Sequence, residues 1–142
     1  MFWNRVLLAL VVGVAAYALA LVLAGRFVGD QLFDRLGFGP SDGEIDNGRP
    51  YEYVRLLYGV LGAVIVGWMI TVGAIVIGPL RKGEPWAWWA IAGALIVWFG
   101  LDTSLSLVLG FTGHAAFNLV FAIGLAIPMA VIRLQLRGRP VG

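Results

Sequence analysis

The sequence predicts an all-α fold, an antiparallel bundle of four transmembrane helices, and three observations carry that reading. Of its 142 residues, 61% are hydrophobic and only 13% charged, with a mean hydropathy of +0.91; soluble domains do not show this balance. The apolar residues gather into four long runs. The cations fall in short flanks between those runs, a placement that speaks of membrane topology and not of a nucleic-acid-binding patch.

Taken in order, the runs predict helices at about 6–24, 56–80, 86–109 and 114–132 of a single membrane domain covering 1–142. Each approaches the roughly 17 to 25 residues that a bilayer crossing requires. Backbone amides in lipid must bond within their own segment, and no run alternates as a barrel strand would, so all four are expected to be helical. Arg5 before an apolar run containing Ala18, Leu19 and Ala20 has the outline of a signal peptide. The run is longer than the roughly 7 to 15 residues of an h-region, which favours an uncleaved anchor.

The cations orient the bundle. Arg5, Arg81, Lys82, Arg133, Arg137 and Arg139 all fall on one side of a four-span topology, so that side, with both termini, is expected to face the cytoplasm of a bacterial inner membrane. The long loop at 25–55 lies on the other side, where Arg26, Arg35, Arg49 and Arg55 are outnumbered by Asp30, Asp34, Asp42, Glu44, Asp46 and Glu52. Trp3, Trp86, Trp88 and Trp89 suit the inner interface, and Tyr51, Tyr53 and Tyr58 the outer one.

Tight connections at Arg81 to Pro85 and at Gly110 to Gly113 make the second, third and fourth helices expected neighbours in space. Within the long loop, Phe27, Val28, Leu32, Phe33 and Leu36 recur at helical spacing up to Gly37, which predicts a short interfacial helix. The rest of that loop is rich in Gly, Pro and acids. Asp42, Glu44 and Asp46 alternate as in a calcium loop, but the turn glycine comes late and Tyr53 stands where the closing Glu belongs, so a solvated acidic loop is the better reading.

Lipid supplies no hydrophobic drive between helices, so small residues must let backbones approach. Gly59, Ala63, Gly67 and Thr71 form such a ridge on the second helix; Ala16, Ala20 and Ala24 offer one on the first, and Ala122, Ala126 and Ala130 one on the fourth. Pro128 removes the donor to the carbonyl of Gly124 and is expected to bend the fourth helix.

The residue that most needs explaining is Asp102, since a carboxylate within a helix this apolar costs roughly 2.5 to 3.5 kcal/mol even on the gentlest insertion scale. Equal depths about the turn near residue 110 pair Asp102 with Asn118 and Ser106 with His114. Each set of two is four residues apart and lines one face of its helix, giving a two-rung polar ladder. Trp98 extends the Asp102 face one turn deeper, level with Trp68 of the second helix, where interfacial anchoring does not explain a tryptophan. Two readings follow: a ladder that fixes one helix against another, or an apolar pocket floored by two indoles and capped by polar groups.

Several chemistries are disfavoured. With no cysteine and one histidine, thiol redox chemistry, thiolate metal sites and a haem between two histidines of one chain are excluded, and no cofactor is expected. Ser104, Ser106 and Thr112 lie near His114, but no nucleophile elbow or oxyanion motif accompanies them, so the sequence leans away from an enzyme.

Tyr58 to Gly62, Gly67 and Trp68, the stretch from Arg81 to Trp88, and Trp98, Phe99, Asp102 and Ser104 together resemble a group of small bacterial four-helix integral membrane proteins with no assigned activity. The likeness spans the last three helices and implies the fold but no reaction. In size the chain is also similar to small multidrug resistance transporters, dimers built around a membrane-embedded carboxylate. Theirs lies in the first helix, where this chain has none.

The leading expectation is a non-enzymatic accessory or ligand-binding module that takes a lipid, an apolar small molecule or a partner membrane protein. The alternative is a homo-oligomeric, proton-coupled small-molecule transporter using Asp102.

Overall fold

A computed structural model describes residues 2–24 and 49–137. The expected interfacial helix from Phe27 to Leu36 and the acidic stretch from Asp42 to Asp46 lie outside them. The described chain forms four helices: α1 (Phe2–Leu23), α2 (Arg49–Ile75, running on through a π turn at Val76–Leu80), α3 (Pro85–Val108) and α4 (Thr112–Arg137). Four are long and apolar enough to cross a membrane, as in a multi-pass membrane protein. Large apolar side chains such as Val12, Ile70, Ile96 and Val120 stand exposed on the described surface, where lipid rather than water would receive them.

Helix ends run past the apolar runs. α2 starts at Arg49 rather than near 56, and α4 continues to Arg137 rather than stopping near 132. Hydropathy marks the stretch that suits lipid, whereas a helix propagates into polar residues as long as its hydrogen-bond ladder is intact.

Both short turns use one device. Gly83 and Gly110 adopt positive φ (89° and 85°), a conformation that costs glycine no Cβ clash. At the first turn Glu84 N donates to Pro79 O and Gly83 N to Leu80 O; at the second Phe111 N donates to Ser106 O and Gly110 N to Leu107 O. Each is the paired bonding of a Schellman motif, which satisfies carbonyls at a helix end. Pro85 then opens α3, where its missing amide leaves no gap. The π turn contains Pro79, which has no N–H for the carbonyl four residues back.

The helices pack unevenly. α1 lies along α2 and α4, and α3 along α4, while α3 meets the second helix chiefly through the π turn. The second and third helices meet at the end where the short turn joins them and have few close backbone contacts beyond it. The core gathers at the joined end, where Leu7, Val11, Val72, Val76, Leu80, Ile91, Met129 and Ile132 are buried together. Trp88 ties α3 to α4 there by donating Nε1–H to the Met129 carbonyl at 2.7 Å, and the Arg133 guanidinium sits 5.1 Å from its ring centroid. An indole bonded to a neighbouring helix is a packing element as well as an interfacial one.

The close approach of α1 and α2 is not made by the expected ridge. A Cβ on Gly62 would lie 2.6 Å from Ala18 O and 2.9 Å from Val22 Cγ2, whereas nothing lies within 4 Å of one on Gly59 or Gly67. Ala63, Gly67 and Thr71 are exposed, and the Thr71 hydroxyl bonds back to the Gly67 carbonyl. On α1 the buried small residue is Ala18, with Ala16 and Ala24 exposed; on α4, Ala126 and Ala130 are exposed as well.

Candidate functional site

Where α2 and α3 diverge, a cavity of about 540 Å³ opens between the helices. All four contribute to it: Val14 from α1, Leu61, Val64, Ile65, Trp68 and Met69 from α2, Trp98, Leu101, Asp102 and Leu105 from α3, and His114, Phe117, Asn118, Phe121 and Leu125 from α4. Leu101, at 71% exposure, and Val64, at 64%, belong both to this lining and to the outer surface, so the cavity opens sideways.

Asp102 lies on α3 six residues before its end, roughly 9 Å along the axis. Its Oδ1 is 3.2 Å from His114 Nε2, with the His side chain 14% exposed and the Asp side chain 32% exposed. A carboxylate that accepts this bond requires the imidazole tautomer with its proton on Nε2. The Ser106 hydroxyl donates to the Asp102 main-chain carbonyl at 2.7 Å and stands 3.5 Å from Oδ1. The shorter contact is the effective one; it is the usual bond of a serine to its own helix, and it commits the hydroxyl to the backbone.

Asn118 is only 2% exposed, and no partner for its Nδ2 occurs among the described residues. A buried amide in that condition carries a desolvation cost without a compensating bond. The ring of Trp68 meets that of Trp98 at a centroid distance of 6.4 Å, tilted by 52°, and together they form one wall.

The structure thus brings Asp102, Ser106 and His114 into contact, and Trp68 against Trp98, with Asn118 in the same lining as Asp102 and His114. The cross-helix partner of Asp102 is His114, one helical turn nearer the loop than the Asn118 expected at equal depth. Equal-depth pairing assumes a symmetric turn. The Schellman bonds instead fold Phe111 back to Ser106, so α4 begins already level with the last turns of α3.

Phe117 and Phe121 do not stand out in the sequence, yet they complete the aromatic wall. Phe117 stacks with His114 at 6.4 Å and 24°, and Phe121 packs on Phe117 at 4.8 Å. Their spacing of three and seven residues from His114, one face of a helix, is the signal that marks them. The chemistry on offer is recognition: a long apolar volume with hydrogen-bonding groups along one side. Comparison of the chain with protein-family models, with curated proteins and with solved structures returned no match.

Proposed function

We propose that the protein is a non-enzymatic ligand-binding or accessory module of the bacterial inner membrane, an antiparallel bundle with both termini cytoplasmic. In this reading it holds an apolar small molecule or lipid chain in the cavity between α2 and α3. The observation that carries it is the cavity itself, about 540 Å³ of mostly apolar lining beside the Asp102, His114 and Asn118 cluster. That volume lies within the range of small-molecule sites, and the Asn118 Nδ2 in its lining, buried with no partner among the described residues, suits a ligand with a polar end.

A fatty-acyl probe bearing a diazirine tests the reading. Labelling of the purified protein is expected at the lining positions Trp98, Leu101, Leu105, Phe117, Phe121 and Leu125, and to be suppressed by excess unmodified acid. Labelling that never saturates, spread over outward residues such as Ile123 and Ile127, would reduce the cavity to ordinary lipid contact and sink the proposal.

The Asp102 to His114 contact favours one second reading, a proton-coupled small-molecule transporter. Four helices scarcely enclose a path, so it requires a homo-oligomer. Proton flux in liposomes that disappears in Asp102→Asn while the fold persists would support it; flux equal to that of protein-free liposomes would remove it.

A further inference from the structure

At the opposite end of the bundle, a second and smaller cleft of about 110 Å³ lies between the start of α1 and the π turn, lined by Asn4, Arg5, Leu8, Val76, Ile77 and Arg81. Two guanidiniums from segments far apart in sequence are thus brought to one cleft. Neither Arg5 nor Arg81 forms an ion pair among the described residues. The nearest acid in sequence to Arg81, Glu84, is engaged by the Trp86 indole at 2.6 Å. Arg133, at the same end, differs in resting on the faces of Trp88 and Trp89 at 5.1 and 5.0 Å from their centroids.

Two cations placed together without a counter-charge repel, unless an anion sits between them. Guanidinium forks match phosphate oxygens in geometry, and the Asn4 amide adds a further donor. α1 also starts here, with the positive end of its dipole. Beside these polar groups the lining is apolar, and Ile77 is 56% exposed on the lipid-facing surface. A phosphate seated between the arginines would therefore continue into hydrocarbon along Leu8 and Ile77. Basic pockets between membrane helices bind anionic headgroups in this manner.

We infer that this cleft is a binding site for the phosphate of an anionic phospholipid, held by Arg5 and Arg81 with its acyl chain along the α1 and π-turn surface. The site is separate from the Asp102 cavity, and neither depends on the other.

Native mass spectrometry of the full chain, released from detergent with equimolar dioleoyl-phosphatidylglycerol and dioleoyl-phosphatidylcholine, tests it. The wild-type protein is expected to retain the anionic lipid with a preference of about tenfold, a modest share of what two surface cations supply. Arg5→Gln with Arg81→Gln is expected to reduce that preference to about twofold or less, while Arg137→Gln, which removes a charge from the same end of α4, preserves it. Both cleft arginines are exposed, so the variants are expected to fold, and the wild-type preference is decisive without them. Equal retention of the two lipids by wild type, or the same loss in Arg137→Gln, overturns the inference. Displacement of phosphatidylglycerol by millimolar inorganic phosphate would assign the cleft to a free anion and overturn it as well.

Discussion

The Asp102 carboxylate and the Asn118 amide share one cavity lining but stand differently in energy. Asp102 is within bonding distance of His114, and membrane hydrogen bonds of this kind average about 0.6 kcal/mol with a maximum near 1.7. His114→Leu is accordingly expected to lower stability by about 1 kcal/mol in a denaturant titration in detergent. Asn118 offers the opposite case, because its Nδ2 has no partner among the described residues. Asn118→Leu is expected to leave stability unchanged or raise it by about 1 kcal/mol, while weakening saturable labelling of the cavity. A loss as large as that of Asp102→Leu would instead make the amide a structural strut. Asp102 was legible in the sequence because a charge inside an apolar helix is conspicuous wherever its partner lies. His114 was legible as a member of the same polar cluster, but equal-depth counting set it level with Ser106 rather than Asp102, because the turn's paired bonds leave no mark on periodicity.

Among the helices, closeness is decided by single positions rather than by ridges. Gly62→Ala drives a methyl group into the Ala18 carbonyl, which is backbone and cannot rotate away, so α1 and α2 must part at an expected cost of about 1 to 3 kcal/mol. Gly67→Ala is the matched control. With open space around it, the same change is expected to be neutral or to stabilise by up to about 1 kcal/mol through helix propensity. Melting both variants in one detergent checks the pair, and equal effects would refute the assignment of the contact to Gly62. Spacing-four patterns reveal that a helix has a small-residue face, but Gly62 lies outside that row, and only the neighbour's position shows which face is used. The helices themselves were legible because twenty or so apolar residues admit few alternatives in lipid. Their polar ends were not, since hydropathy is blind to where a ladder of hydrogen bonds stops. Nor does hydropathy mark the π turn that contains Pro79.

At the scale of the molecule, the bundle is knit at the π-turn end and parted at the end of the α3 to α4 turn. The proposed topology puts the parted end outside the cell. The chain has no cysteine, so single introduced thiols report cleanly. A membrane-impermeant maleimide is expected to label Thr112→Cys in intact spheroplasts, and Lys82→Cys only after permeabilisation; the reverse pattern would invert the orientation. Fold class and the number of spans were legible from composition, whereas the wedge shape was not, because short turns imply neighbours without specifying how far they stay together. The sideways opening at Leu101 and Val64 has one more consequence. A guest arriving through it comes from the hydrocarbon, where each methylene has already favoured its transfer from water by about 0.8 kcal/mol. Occupancy is then governed by mole fraction in the bilayer. Under the proposed function, a guest scarce in water would fill the site although its affinity, counted from lipid, is slight, and bilayer composition would be the variable to which the protein responds.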